Sequence, residues 1–256
     1  MIARLLCIVS IAFFTSATFA KGNYYGEEVR RELTKGSLQN ESLLSLLKRV
    51  SSKNFKALGY KRGTKKELFG YVDLKRGKAG LFIHDVYCGF DIQVSATNTR
   101  PKNEVMNVEH TWPQSKGAKR EPARGDIHHL FPTDSRANSA RGNYPFGEVN
   151  GGDATDRCDL SKSGRIIDPE TGRTSGQRGF EVPENHKGNT ARAMFYVVAK
   201  YGYKLGRLEE YYLRKWHKED PVDREEVLRN DRIQDVQGNR NPFIDFPGLA
   251  DRISDL

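Results

Sequence analysis

The chain has 256 residues, of which 37% are hydrophobic and 29% charged: enough apolar content for a globular core, and too polar for a chain built across a membrane. Its net charge of +9 favours a polyanionic partner, although many basic proteins have none. There is no internal repeat, low-complexity tract or heptad seam to suggest a solenoid or coiled coil.

Residues 1–20, MIARLLCIVSIAFFTSATFA, place Arg4 ahead of an apolar run and end on small residues, as secretory leaders do. Cleavage after Ala20 is expected, giving a chain that starts at Lys21 and is secreted or held in a periplasm. The apolar run is too short for a retained anchor. Cys7 leaves with the leader. Cys88 and Cys158 then face an oxidising compartment, where a bridge between them, two free thiols and an intermolecular bridge all stay open, because pairing depends on geometry.

NESLLSLLKRV offers Asn40 as a helix cap, with Leu43, Leu46, Leu47 and Val50 at helical spacing. AGLFIHDVYCG and NEVMNVEH read as strands, the latter with Met106 and Val108 on one side. Residues 149–178, dense in Gly, Asp, Ser and Thr, are expected to form a long surface excursion. NTARAMFYVVAKYG puts Met194, Val197, Val198 and Tyr201 on one helical face, and RLEEYYLRKWH does the same with Leu208, Tyr212 and Trp216. Asp223 and Glu226 resemble a capping box for a further helix that stops before Gly238. The expected architecture is α+β and mainly helical, a single domain over residues 21–256.

Residues 107–147, NVEHTWPQSKGAKREPARGDIHHLFPTDSRANSARGNYPFG, hold three of the six histidines, His110, His128 and His129. Neighbouring side chains on a strand point to opposite faces, so Glu109 and His110 can serve one site only where the strand ends or bends. Pro113 makes an end there, since it cannot donate to a ladder and keeps Trp112 extended. If DIHHLF is a second strand and PTDSRANSARGN a helix opened near Thr133 and ended by Gly142, residues from about 105 to 145 fold as strand, strand, helix. Glu109, His110 and Asn143 then meet at one point. A carboxylate and an amide oxygen suit a hard divalent cation, and a neutral imidazole suits proton abstraction near neutral pH.

Each piece alone has a plainer meaning. A Glu-His pair is common, Asn143 after Gly142 is an ordinary helix-ending residue, and the cations from Lys116 to Arg124 would by default be a solvated loop. Two other functions compete. One is a zinc hydrolase of another substrate, using His110, His128, His129 and Asp126; adjacent His128 and His129 face one ion with difficulty from a strand. The other is a non-catalytic polyanion binder using the basic surface alone.

VEHTWPQS, GDIHHLFPTDSRANSARGN, FEVPENHKGNTARAMFY and KWHKEDPVDREEVLRNDRIQDVQGNRNPFID, in that order, resemble the motifs of the bacterial endonuclease I family of secreted and periplasmic nucleases. That family lies within the His-Me finger, or ββα-metal, nucleases, and the resemblance runs from about Leu43 to Phe246. It implies cleavage of DNA, and often RNA, with little sequence preference, one Mg²⁺ ion that Mn²⁺ or Ca²⁺ can replace, and 5′-phosphate and 3′-hydroxyl ends. By position, His110 matches the general base, and Glu109 and Asn143 match the metal ligands. The family also places an arginine near the scissile phosphate. Lys116, Lys119, Arg120, Arg124, Arg141 and Arg240 are the candidates here for phosphate contact, while Trp112, Gln114, Asp126 and His128 are expected to support the site without touching the phosphate. Some members carry several disulfides, where this chain has at most one. The excursion around Cys158 is expected to be an inert insertion, and the protein a monomer.

Overall fold

Leu43, Leu46, Leu47 and Val50 are all buried, as their spacing predicts, on α2 (Asn40–Ser52), which follows a short α1 (Glu27–Lys35). The computed structural model describes residues 23–97 and 99–256. The expected leader at residues 1–20, its cleavage point and Cys7 lie outside the described residues. Asn40 does not cap α2: its side chain accepts the N–H of Ser254 at 2.8 Å, so it secures the C-terminal segment instead.

After α2 the chain makes two π-helical turns, Gly59–Thr64 and Leu68–Val72, around a short α3 (Lys65–Glu67). A three-stranded antiparallel sheet follows, formed by β1 (Leu74–Gly77), β2 (Gly80–His84) and β3 (Asp91–Val94). Next come β4 (Met106–His110) and β5 (Leu130–Asp134), an antiparallel pair in which Glu109 lies opposite Phe131 and His110 opposite Leu130. The helix α4 (Ser135–Arg141) then lies against both strands. Asp134 caps α4 through the N–H groups of Arg136 and Ala137, and Gly142 ends it with φ of 56°. Strand, strand and helix thus occur in the expected order. The second strand starts later than DIHHLF suggested, because the Asp126 side chain accepts the His128 N–H and turns Ile127–His129 into a 3₁₀ turn.

The surface excursion expected over residues 149–178 is instead a three-stranded antiparallel sheet of β6 (Val149–Thr155), β7 (Cys158–Ile167) and β8 (Thr174–Glu181). Its glycines are not loop punctuation. Gly151 sits opposite Gly164, and a Cβ on Gly151 would fall 2.1 Å from the Ser163 carbonyl oxygen. The sheet buries Val149, Cys158, Ser161, Ile166 and Phe180, and Cys158 is bridged to Cys88.

α5 (Lys187–Tyr201) is buried nearly all round, a wider burial than the single apolar face expected, and packs against α2, α6 (Arg207–Glu219) and α8 (Pro242–Asp245). A helix enclosed in this way is the centre of a core. Asp223 caps α7 (Arg224–Gln237) by accepting the Glu226 N–H at 2.7 Å, and Gly238 ends the helix in the left-handed conformation. Only half of the capping box forms, since the Glu226 carboxylate is taken by Arg192.

The apolar residues form two clusters. The larger joins α2, α5, α6 and the β6–β8 sheet, and the smaller joins Tyr60, Phe69 and Ile83 to Met106, Val108, Leu130 and Ile233. β4 and β5 give Met106, Val108 and Leu130 to the smaller cluster. The fold is an α+β mix with more sheet than expected, and among the described residues no helix is long and apolar enough to cross a membrane.

Candidate active site

β4 ends at His110, as Pro113 predicts, and the chain turns through a 3₁₀ segment at Gln114–Lys116. Trp112 fixes the turn by donating its indole N–H to the Lys116 carbonyl at 2.8 Å. The neighbours of Glu109 and His110 differ, as the pleat dictates. Both are nonetheless buried, because each face of β4 is covered.

His110 is 6% exposed and packs against the rings of Tyr60 and His129, with centroids 4.9 and 5.8 Å away. Its Nε2 lies 3.0 Å from the Arg124 carbonyl oxygen, which can only accept, so Nε2 carries the proton. Nδ1 is therefore the lone-pair nitrogen, and the Gln114 amide donates to it over 3.4 Å. Burial, and then the neighbouring His129, Arg124 and Lys65, push the imidazole down to about 3, so the ring is neutral at neutral pH.

Glu109 is 2% exposed. Arg141 Nη1 sits 3.0 Å from its Oε1, but the N–H groups of Arg141 point at the His110 and Thr111 carbonyls. The contact is thus a charge pair without an aligned hydrogen bond, and Oε1 is a buried oxygen with no hydrogen-bond donor. Burial raises the carboxyl, and Arg141, the Tyr87 hydroxyl and the His110 N–H pull it back.

Asn143 lies just beyond α4, exposed, and its amide nitrogen donates to Ser115 Oγ at 3.3 Å, which leaves its carbonyl oxygen as the free end. Arg141, at the end of α4, reaches Glu109 on β4, and Asn143, two residues on, meets Ser115 in the turn that follows His110. A carboxylate oxygen lacking a donor and a free amide oxygen are a donor set that fits a hard divalent cation.

The phosphate candidates separate clearly. Arg240 is fully buried and held by Asp245, Asp231 and Gln234, so it cannot reach a phosphate. Arg141 is buried against Glu109 with its guanidinium over the Phe146 ring, and is likewise unavailable. Lys116, Lys119 and Arg120 are exposed on the loop. Arg124 is half-buried over the Tyr60 ring, with a buried Nε that finds no partner. Lys65 and Arg100 share its neighbourhood: each acts electrostatically on a neighbour there, and Lys65 also lies over Tyr60. No acidic side chain pairs with Lys65, Arg100 or Arg124 among the described residues. The sequence carries no local signal for Tyr60, Lys65 or Arg100, which reach the site only through the fold.

Asp126 and His128 sit away from this cluster. Asp126 is fully buried and accepts from Lys200, Tyr196 and Tyr201, each at 2.7 Å. Burial alone would raise its carboxyl, yet the Lys200 ammonium and those donors hold it well below the usual carboxylate range. His128 bonds the Asn239 carbonyl and His129 the Ala123 carbonyl; both are buried, and the His129 ring packs against that of His110. Among the described residues no three His, Cys, Asp or Glu side chains converge on a metal position, which overturns the zinc cluster.

Residues 41–248 match the family described as Endonuclease I. The chain belongs to the Endonuclease I family. The matched span takes in the whole site and nearly coincides with the Leu43 to Phe246 expected from the motifs. Among curated relatives, the extracellular ribonuclease of Bacillus amyloliquefaciens is 38% identical over 167 residues, covering 57% of this chain and 53% of that protein. The extracellular ribonuclease of Bacillus subtilis (strain 168) is 37% identical over 169 residues, with the same shares. The periplasmic deoxyribonuclease of Aeromonas hydrophila is 33% identical over 131 residues, 51% of each chain. The chain spans about half the length of the curated relatives it matches.

Proposed function

We propose that the protein is an exported, Mg²⁺-dependent endonuclease that hydrolyses phosphodiester bonds of DNA and RNA with little sequence preference and acts as a monomer. The observation that carries this reading is the state of His110: neutral, with its tautomer fixed by the Arg124 carbonyl and its lone pair on Nδ1, one residue from a buried carboxylate that lacks a donor. The names of the relatives, ribonucleases and a deoxyribonuclease outside the cytoplasm, support the substrate class and the export.

Here β4, β5 and α4 act as a ββα-metal, or His-Me, finger. Nδ1 of His110 takes the proton from the attacking water, and the Arg124 carbonyl stabilises the imidazolium that results. Gln114, whose amide donates weakly to that lone pair at 3.4 Å in the free protein, gives up the position to the water. Arg124, with Lys65 and Arg100 beside it, neutralises the non-bridging phosphate oxygens, a role for which preorganised cations without acidic partners are suited. Glu109 and Asn143 would hold the ion, with Arg141 keeping the Glu109 carboxylate charged and oriented. The chemistry such an ion, Mg²⁺ or Mn²⁺ or Ca²⁺ in its place, would supply when bound is neutralisation of the negative charge that builds up during hydrolysis. Water adds at phosphorus and the bond to O3′ breaks, giving 5′-phosphate and 3′-hydroxyl ends.

The test is incubation of purified protein with supercoiled plasmid and with RNA, with Mg²⁺ or EDTA, and with His110→Ala alongside. Nicking followed by smearing, stopped by EDTA, is expected. Intact plasmid under Mg²⁺, Mn²⁺ and Ca²⁺, or a His110→Ala protein as fast as wild type, sinks the reading.

A further inference from the structure

The segment that leaves Asn143 lies along β8: the Phe180 N–H donates to the Pro145 carbonyl at 3.0 Å, and Phe146 bridges Phe180 in parallel register. That register sets Tyr144 beside Arg178, whose guanidinium stands over the half-buried Tyr144 ring, 5.1 Å from its centroid. Across the ladder Arg178 is directly opposite Arg165 on β7, and Arg165 donates one N–H to the Gly176 carbonyl at 2.8 Å, which draws its guanidinium over β8. Directly opposed residues of an antiparallel pair point to one face, and like charges there repel. Both arginines are exposed, and among the described residues neither has an acidic partner. The acids in the turns of this sheet are claimed elsewhere, Asp168 and Glu170 by Arg207 and Asp156 by Arg136. Two opposed arginines without a counter-charge, one residue from a candidate metal ligand, are a repulsion that a bound polyanion would relieve.

We infer that Arg178 and Arg165, the former positioned by Tyr144, clamp the phosphate backbone of the substrate strand on the flank of the cut that runs past Asn143, so that the β6–β8 sheet is a substrate-binding arm and not an inert insertion. The inference rests on the nuclease reading. A guanidinium fork matches two phosphate oxygens at once, and its contact with the Tyr144 ring restricts the Arg178 side chain before the strand arrives. Arg165 lies one strand further, about 5 Å across the sheet, so the pair follows the backbone away from the site. Phosphate contacts carry no base information, in keeping with a reaction of little sequence preference.

The test compares Arg165→Gln and Arg178→Gln with Lys78→Gln, which removes one exposed charge from the turn between β1 and β2 and controls for net charge alone. Binding of a fluorescent, mixed-sequence single-stranded oligonucleotide is read by anisotropy in EDTA over a range of salt concentrations. Each arginine variant should bind about three- to tenfold more weakly at low salt, by one factor for every base composition, and should reduce the slope of log Kd against log salt by about 0.7, the double variant by about twice as much. Lys78→Gln should leave the slope unmoved. In cleavage, KM should rise with kcat unchanged, as loss of uniform binding requires. Melting temperatures should be no lower than that of wild type, because a like-charge pair is relieved. Tyr144→Leu should lose most of what Arg178→Gln loses, and Tyr144→Phe, which keeps an aromatic face, should retain it. Arginine variants with the wild-type slope, or with no greater loss than Lys78→Gln, overturn the arm and leave the nuclease reading standing. A fall in melting temperature with unchanged binding makes the arginines structural and likewise overturns it. Wild type that binds but does not cut overturns the nuclease reading, and the slopes then decide the arm by themselves.

Discussion

Arg141 Nη1 lies 3.0 Å from Glu109 Oε1, with both side chains buried. The pair keeps a carboxylate charged in an apolar setting, and a bound cation would share that carboxylate. Glu109→Ala leaves the guanidinium buried without its counter-charge, a defect that typically costs about 3–5 kcal/mol. A clear fall in melting temperature is expected, smaller for Glu109→Gln. Added Ca²⁺ should raise the melting temperature of wild type, as any ligand selective for the native state does, and should leave Glu109→Gln and Asn143→Ala unmoved. Equal metal shifts in all three proteins would remove Glu109 and Asn143 as ligands.

His110→Ala removes the lone pair without disturbing a charge pair, so turnover should fall about 10²–10⁴-fold with the fold retained. Gln114→Ala, which loses only the hydrogen bond to Nδ1, should cost less than His110→Ala. Initial rates on plasmid, compared with circular dichroism spectra, check both.

Arg124 and Arg240 make opposite predictions. Arg124 has no acidic partner, so Arg124→Ala should depress kcat/KM and flatten its dependence on salt, with little change in melting temperature. Arg240 is enclosed by Asp245 and Asp231, so Arg240→Ala strands two acids and should destabilise by about 3–5 kcal/mol. Parallel thermal melts and rate measurements distinguish the two. Loss of activity at unchanged stability in Arg240→Ala would contradict its burial.

Acid should weaken the fold through buried histidines. Burial pushes His128 and His186 each down from 6.5 to about 3. Between those values the unfolded chain binds protons that the native chain does not, so stability rises with pH across the window. Their contribution is whole above 6.5 and is lost as pH falls towards about 3, with a slope of about 1.4 kcal/mol per pH unit for each histidine. Denaturant midpoints from about pH 7.5 to about pH 4.5 should decline accordingly, and less steeply in His186→Leu. A flat profile over that range would show that both rings charge freely in the native state.

What the sequence reveals is local. The buried face of α2 and the cap of α7 at Asp223 depend on residues within a turn or two, and both were readable. The β6–β8 sheet was not, because its glycines look like turn signals when they in fact allow strands to approach at Gly151 and Gly164. The 3₁₀ turn at Ile127–His129 escaped the strand pattern through one side-chain bond from Asp126. In the candidate site, adjacency and turn chemistry pointed to Glu109, His110 and Asn143. Tyr60, Lys65 and Arg100 come from elements with no mark of their own, and Arg240, in the link between α7 and α8, resembles a phosphate ligand in the sequence but is claimed by Asp231 on α7 and Asp245 on α8.

The bridge between Cys88 and Cys158 closes one residue from Tyr87, whose carbonyl is also held by Ser161 and whose hydroxyl bonds Glu109. Where thiols are kept reduced, that turn is tied to β7 by hydrogen bonds alone; where they oxidise, a covalent strap holds it. The redox state of the surroundings thus acts next to the residue that bonds the Glu109 carboxylate, and the compartment in which the chain folds helps decide how firmly that carboxylate is placed.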